Sequence, residues 1–388
     1  MELNRPRASV RILRIMALVL AVSVFWGGGL QPAHAQMSQS HALCWSRDGR
    51  FVAACSETSA TVFNVMNGRA VCTVHPPALL TGVALSPRGR FLAVGILRSR
   101  IELYQVSDGK LVREMVGDQR FGGGYVVEFS ADGRWLCSTG DSRGHSDADP
   151  VVRLWDVPTG AQISTLAGPR SDLSPHGGWM VANNSVEETV IYQPVPAGRR
   201  HRFDGARLPS QPFRADDRCL AIIDDQAHQL RMIALPDGPK LDLMPITHRH
   251  EAIVLSPGFH FVALTRRESD PAPAHANVVQ IIGLRPHRVV AEIRGVALRA
   301  TAISRQHVVL IEDAVHGQFQ FVSTLTGKPV ATVHGGTQKG THSQMYGRFS
   351  HDGRLFGVVD ADLGSSGDGL RVVDGLTGRT LWTRPIDR

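Results

Sequence analysis

A tight turn of the form Ser-x-Asp-Gly recurs along this 388-residue chain, each time between two apolar runs. It reads SRDG from Ser46, SADG from Ser130 and SHDG from Ser350. In such a turn the glycine supplies a positive φ and the aspartate bonds its own backbone. Because one turn is repeated at regular spacing, the chain must be built from a repeated structural unit, which constrains the fold more than any single segment.

Alignment on the turn divides the chain into eight units, at intervals of 40, 44, 44, 40, 42, 48 and 46 residues. Each unit holds four short apolar runs separated by Gly, Asp and Pro, which predicts four strands and no helix. Four antiparallel strands at this period are typical of a β-propeller blade. We therefore expect an all-β chain whose residues 41–388 form one propeller of about eight blades. Seven blades with a strand donated across the closure is the alternative. The turns begin at Ser46, Ser86, Ser130, Ser174, Arg214, Ser256, Ser304 and Ser350.

The units resemble the WD-repeat β-propeller family, in its divergent form found in exported bacterial proteins. The resemblance rests on FSADGRWL followed by VVRLWDVPTG, with Trp155-Asp156 at the position of the family's dipeptide. Weaker matches to the same motif are TVFNVMNG, IELYQVSDG and LRVVDGLTG. The family's Gly-His dipeptide is missing from every unit. The resemblance implies a rigid ring that binds protein or peptide partners.

The N-terminus has the pattern of a secretory signal peptide. A basic stretch precedes the 12-residue apolar run at 15–26, and AHA at 33–35 is a small-x-small cleavage pattern. We expect cleavage after Ala35, a short linker at 36–40, and export to the periplasm or the medium. An uncleaved N-terminal anchor is the alternative. The basic residues are Arg5, Arg7, Arg11 and Arg14.

Charge and cysteine content exclude several function classes. The chain carries +7, of which residues 1–35 contribute +3, so the mature chain is near +4. A net charge this small is not typical of a nucleic-acid-binding protein, which carries a strongly basic stripe. We therefore expect no nucleic-acid partner. We also expect no membrane span after signal cleavage. An odd number of cysteines leaves at least one free, and no C-x-x-C pair is present. One disulfide among Cys44, Cys55 and Cys72 and three buried free thiols are both compatible with the sequence.

Loop lengths differ between the two faces that an antiparallel blade presents. First-to-second turns are uniform, whereas second-to-third connections include GDSRGHSDADP, RRESDPAPAHAN and DADLGSSGDG. Function concentrates in variable loops held by a rigid scaffold. We therefore expect the connections at 141–150, 266–277 and 360–369 to project from one face and to meet a ligand or partner there.

Two sets of side chains near these long loops are candidates for binding. Carboxylates in flexible loops can ligate a hard cation such as calcium, although neither acidic loop has a calcium-loop spacing and no cofactor is predicted. Arginine and aromatic side chains anchor protein interfaces. The candidate metal ligands are Asp141, His145, Asp147, Asp149, Asp360, Asp362 and Asp368. The candidate partner contacts are Arg120, Phe121, Tyr125, His248, His250, Arg266, Arg267 and Tyr346.

Three functions are compatible with the sequence, and no catalytic residue is assigned. The first is a non-catalytic exported scaffold that binds a protein or peptide through its long-loop face. The second is a propeller enzyme, a lactonase or quinoprotein-type oxidoreductase, with a metal or cofactor at the central funnel. A sugar-binding ring is a third, although aromatic residues are only 6% of the chain. No G-x-S-x-G, P-loop or dinucleotide motif is present.

Overall fold

The structure is a computed structural model, and its described residues form thirty-two strands in eight four-stranded antiparallel sheets. Every sheet is made of four consecutive strands in chain order, so no strand is donated between blades. The prediction of eight blades is confirmed, and the seven-blade alternative is wrong. The described residues are 43–96, 100–117, 123–141, 151–167, 170–175, 178–183, 188–193, 200–236, 238–246, 250, 252–267, 276–334, 344–361 and 369–386.

The first four blades run from the innermost to the outermost strand in chain order. Blade 1 comprises β1 (Leu43–Trp45), β2 (Phe51–Cys55), β3 (Ala60–Asn64) and β4 (Ala70–Val74). Blade 2 comprises β5 (Leu80–Leu85), β6 (Phe91–Ile96), β7 (Arg100–Gln105) and β8 (Leu111–Val116). Blade 3 comprises β9 (Gly123–Phe129), β10 (Trp135–Asp141), β11 (Val151–Asp156) and β12 (Gln162–Ala167). Blade 4 comprises β13 (Arg170–Leu173), β14 (Met180–Asn183), β15 (Glu188–Tyr192) and β16 (Arg200–Asp204).

The last four blades repeat this order. Blade 5 comprises β17 (Ala206–Arg207), β18 (Cys219–Asp224), β19 (Gln229–Ala234) and β20 (Lys240–Pro245). Blade 6 comprises β21 (Ala252–Leu255), β22 (Phe261–Arg267), β23 (Ala276–Leu284) and β24 (His287–Val296). Blade 7 comprises β25 (Leu298–Ile303), β26 (Val308–Asp313), β27 (Gln318–Ser323) and β28 (Pro329–His334). Blade 8 comprises β29 (Gln344–Phe349), β30 (Leu355–Ala361), β31 (Gly369–Asp374) and β32 (Thr380–Pro385).

The hydrophobic core lies between the blades. The described residues contain eight apolar clusters, and each joins one blade to the next around the ring. Inner strands are buried on both faces, as in β6, where five of six residues are buried. Outer strands such as β8 are mostly exposed. This burial explains why the inner strands are continuous apolar runs rather than alternating ones.

The ring closes where blade 8 packs against blade 1. The Trp45 indole Nε1 donates to the Arg348 carbonyl oxygen at 3.0 Å, and the Trp382 Nε1 donates to the Val65 carbonyl oxygen at 2.8 Å. The rings of Phe63 and Trp382 lie with centroids 6.0 Å apart. Side-chain packing and these indole hydrogen bonds therefore close the ring.

The repeated turn is held by its buried serine. The Ser46 hydroxyl donates to Asp48 Oδ1 at 2.7 Å and accepts from the Phe51 amide at 2.9 Å. The same bonds form around Ser130 and Ser350. Blade 4 lacks its own turn aspartate, and Ser174 instead donates to Asp217 Oδ2 in blade 5 at 2.6 Å. In the seven blades whose turn is fully described, the amide of the fourth turn residue donates to the carbonyl oxygen of the first, so these turns share one backbone hydrogen bond.

None of the five cysteines forms a disulfide in this structure, so the disulfide considered among the first three is not formed. Burial raises the pKa of Cys44 to about 12 and that of Cys72 to about 11. Both thiols therefore stay protonated at neutral pH and pack as small apolar groups. Among the described residues, no helix has the length and apolar character needed to cross a bilayer.

Two glycine substitutions separate backbone strain from blade packing. Gly49 has φ +71° and open space where a Cβ would lie, whereas Gly68 has φ +65° and a Cβ there would lie 2.8 Å from Trp382 Cδ2. Gly49→Ala should lower the free energy of unfolding by about 1–2 kcal/mol, the cost of left-handed backbone. Gly68→Ala should lower it by about 1–3 kcal/mol more, because it also overlaps a ring across the closure.

Urea unfolding of both variants measures the difference. In the Trp382→Ala background the excess cost of Gly68→Ala should disappear, since the overlapping ring is gone. Equal costs for the two glycine variants would contradict the packing described at the closure.

Candidate functional site

A cavity of about 280 Å³ lies on the axis of the ring. Every blade contributes to it with the end of its innermost strand or with the first-to-second turn that follows. We call the face that carries these turns the turn face, and the opposite face, which carries the second-to-third connections, the loop face. One lining residue from each blade in order is Trp45, Leu85, Phe129, Leu173, Phe213, Pro257, Ile303 and Phe349.

Ionisable side chains reach this cavity from two positions of the repeat. One position lies two residues before the first residue of the turn, and the other lies one residue after it. Around the ring the first position is Cys44, Ala84, Glu128, Asp172, Pro212, Val254, Ala302 and Arg348. The second position is Arg47, Pro87, Ala131, Pro175, Ala215, Pro257, Arg305 and His351.

The charged residues of the cavity are grouped by the blade that each comes from. Arg305, Arg348 and Arg47 come from blades 7, 8 and 1, which are consecutive in the ring, while Glu128 and Asp172 come from blades 3 and 4. In a ring of eight, blades 3 and 4 lie opposite blades 7 and 8. Arg305 and Arg348 therefore form a positive wall opposite the acidic residues of blades 3 and 4. The Arg47 side chain instead crosses from blade 1 to the turn of blade 4.

Glu128 is a carboxyl group of this site whose pKa is raised. Part of the Glu128 side chain faces the cavity, and protein surrounds its carboxyl group. Removal of this group from solvent raises the pKa of Glu128 to about 7. The neighbouring Asp172 also raises the pKa, whereas Arg348, Arg47 and a backbone hydrogen bond at Leu173 lower it. Glu128 therefore exchanges its proton near neutral pH, while an ordinary glutamate is fully ionised there.

Arg47 lines the cavity and crosses between two blades. Its Nη1 donates to the carbonyl oxygen of Pro175 at 2.5 Å, so a side chain of blade 1 reaches the turn of blade 4. Burial and the charge of Arg305 lower the pKa of this guanidinium, and Asp217 and Glu128 oppose the shift. A guanidinium stays charged in a protein, and Arg47 therefore adds positive charge to the cavity.

His351 lies beside the arginines and is neutral at neutral pH. Its side chain keeps surface toward solvent, but the protein around the ring desolvates it and lowers its pKa to about 4. The charges of Arg348, Arg47 and Arg305 act in the same direction, and a hydrogen bond with the Trp45 backbone opposes them. The positive wall therefore owes its charge to arginine alone at pH 7.

The long-loop candidates lie elsewhere in the fold. The second strands β10, β22 and β30 lead from the turn face to the loop face, and their ends carry Asp141, Arg266 with Arg267, and Asp360. His250, between blades 5 and 6, is buried with 8% of its surface exposed. Tyr125 lies in β9 and Tyr346 in β29. Outside the described residues are Arg120, Phe121, His145, Asp147, Asp149, His248, Asp362 and Asp368.

The roles assigned to those residues stay predictions. Among the described side chains, no three of His, Cys, Asp and Glu come together in a group that could hold a metal ion. The axial cavity was missed because its charged residues flank the turn whose uniformity suggested a structural role. Reading the two positions across the aligned units would have revealed them, since charges there stand among small or apolar residues.

Comparison with known proteins confirms the fold. The chain is similar to the C-terminal WD40 domain of Sif2, with a TM-score of 0.63 and 13% identity over 86% of this chain and 95% of that one. It is also similar to dihydro-heme d1 dehydrogenase NirN in complex with DHE, with a TM-score of 0.59 and 17% identity over 90% of this chain and 74% of that one. The Cps50 (Swd1) β-propeller domain from Myceliophteria thermophila gives a TM-score of 0.50 and 14% identity over 74% and 95%.

No protein-family profile matches the chain, and no curated protein matches it by sequence. The structural similarity shows that the chain has the β-propeller fold of WD40 domains. Blade 3 also contains a Trp155 Nε1 hydrogen bond to Ser138 Oγ at 2.8 Å, which holds the one Trp-Asp dipeptide in its sheet.

Ionisation of Glu128 should appear in the pH dependence of stability. Its folded-state pKa of about 7 exceeds the ordinary 4.5. The contribution of protonated Glu128 to the stability of the folded state is fully present below the pKa that this residue has in the unfolded chain. It is lost as the pH rises through the pKa that it has in the folded state. Between pH 5 and pH 8, the unfolding free energy of the wild type should fall relative to Glu128→Gln by on the order of 2 kcal/mol.

Urea unfolding at both pH values measures this difference. Glu114→Gln removes an exposed carboxylate from outer strand β8 and serves as the matched control. Parallel stability profiles for wild type and Glu128→Gln would show that Glu128 ionises in the ordinary range.

Proposed function

We propose that this chain is an exported binding scaffold that holds a segment of a partner protein in the axial cavity of its turn face. The basic stretch, apolar run and AHA pattern of residues 1–35 support export. The WD40 fold supports partner binding by analogy, because propellers offer a rigid ring with a central concave site.

The observation that carries the proposal is the cavity with opposed charges that all eight blades build. Ligand sites are concave and mainly apolar, with a few polar groups that fix orientation. Here Phe129, Phe213 and Phe349 provide apolar surface, and charged walls lie on two sides. A volume of about 280 Å³ is at the lower end for small-molecule sites. It suits one or two side chains of a protruding segment better than a large cofactor.

The alternative is an enzyme of the lactonase or quinoprotein type that uses the same axial site. A carboxyl group with a pKa near 7 suits general acid–base chemistry, and Glu128 meets that requirement. One structural neighbour is a dehydrogenase in complex with DHE. At 17% identity, this similarity shows a shared fold and no shared activity. The small volume of the cavity favours the binding scaffold.

Affinity capture with two matched variants tests the proposal. Ala131 lines the axial cavity, and Ala227 is an exposed residue in the second-to-third turn of blade 5 on the loop face. Ala131→Trp should abolish capture of partners from the native cell envelope, because the indole fills the site. Ala227→Trp should leave capture unchanged, with both variants checked for wild-type melting temperature.

The reverse pattern would contradict the proposal. Capture that survives Ala131→Trp and fails with Ala227→Trp would place recognition on the loop face, as the loop lengths predict. Turnover of a lactone or a reduced dye by the wild type, lost in Glu128→Gln, would favour the enzyme.

A further inference from the structure

The arginines of the positive wall supply charge that the protein does not pair locally. Among the described residues, neither Arg305 nor Arg348 makes an ion pair with an acidic side chain, and both side chains are exposed. The Arg47 guanidinium donates to a neutral carbonyl oxygen. Guanidinium groups bind carboxylates through paired N–H donors. Three of them around one small cavity therefore form a receptor for an anion.

Glu128 is the cavity's own anion. Of the charged groups around it, Arg348 and Arg47 favour its ionised form and Asp172 opposes it. Arg305 and His351 also line the cavity, and Asp217 acts on Arg47. When Glu128 is ionised, it neutralises part of the positive wall and repels a second carboxylate. When it is protonated, the three arginines face the cavity with only Asp172 as a lining counter-charge.

We propose that the axial cavity binds an acidic side chain of the partner segment between Arg47, Arg305 and Arg348, and that protonation of Glu128 opens this site. This inference rests on the proposed function and names the chemistry of its ligand and its regulation by pH. The apolar lining by Leu173 and Phe349 selects an acidic side chain flanked by apolar ones over a free inorganic anion.

The size of the pH effect follows from the titration of one group. With a pKa of about 7, roughly nine-tenths of Glu128 is protonated at pH 6 and one-tenth at pH 8. Glutamate side chains of a peptide remain ionised at both pH values, since their ordinary pKa is about 4.3. Binding should therefore be about tenfold tighter at pH 6 than at pH 8.

Fluorescence anisotropy with the purified protein tests this inference. The probe is a peptide of alternating leucine and glutamate with a dye insensitive to pH, compared with the same peptide carrying glutamine. The glutamate peptide should bind about tenfold tighter at pH 6 than at pH 8, and the glutamine peptide should bind weakly at both. Inorganic phosphate at millimolar concentration should not displace the probe.

Three variants assign the effect to the cavity. Glu128→Gln should bind the glutamate peptide tightly at both pH values, because the competing carboxylate is gone. Arg348→Gln should weaken binding at least tenfold. Arg288→Gln removes the same charge from exposed outer strand β24 and should leave binding unchanged. Circular dichroism confirms that each variant is folded, and Glu128→Gln tests the inference even if Arg348→Gln unfolds.

Several results would overturn the inference. These are equal binding of the two peptides, a pH ratio that persists in Glu128→Gln, displacement by phosphate, or equal losses in Arg348→Gln and Arg288→Gln. Different results would refute the acidic ligand and the proposed partner site. Capture that depends on Ala131 without peptide selectivity would refute the acidic ligand alone. Peptide binding as expected with capture unaffected by Ala131→Trp would refute the partner site alone.

Discussion

Face-to-face packing of neighbouring blades is the constraint on which the rest of the structure depends. A four-stranded sheet with both faces apolar cannot bury them alone, so each blade needs two neighbours. Eight apolar clusters in the described residues meet that need, one between each pair of adjacent blades. The last cluster joins blades 8 and 1 through Trp45, Phe63 and Trp382, which lie far apart in the sequence. Packing of blade 8 against blade 1 closes the ring, and the first strands of the eight blades then surround its axis.

The site is a consequence of that closure. Each buried turn serine fixes where an inner strand ends, and the residues on either side of the turn then reach the axis. Arginines from blades 7 and 8 face carboxylates from blades 3 and 4 across one small cavity, and Arg47 crosses from blade 1 to blade 4. Burial there raises the pKa of Glu128 to about 7, while Arg348 and Arg47 oppose the shift and Asp172 adds to it. The turn that specifies the fold therefore also positions the chemistry.

The fold could be predicted from the sequence because its signals are local. The spacing of the turns gave the blade count, and Gly49 does have the positive φ that the turn requires. Phe259 and His307 take positive φ at the equivalent position of blades 6 and 7, where no glycine stands. The cavity could not be predicted in the same way, since Arg47, Glu128 and Arg348 meet only after closure. The long loops predict a site on the opposite face, whereas the charges lie beside the first-to-second turns.

Photo-crosslinking from a single residue tests the central claim that the partner enters the axial cavity at the turn face. A photoreactive amino acid replaces Ala131 in one preparation and Arg267, at the loop-face end of β22, in another. Each protein is irradiated with the native envelope extract at pH 6. The account predicts an adduct with a partner from position 131 and none from position 267. An adduct from position 267 alone would contradict it and place recognition on the loop face.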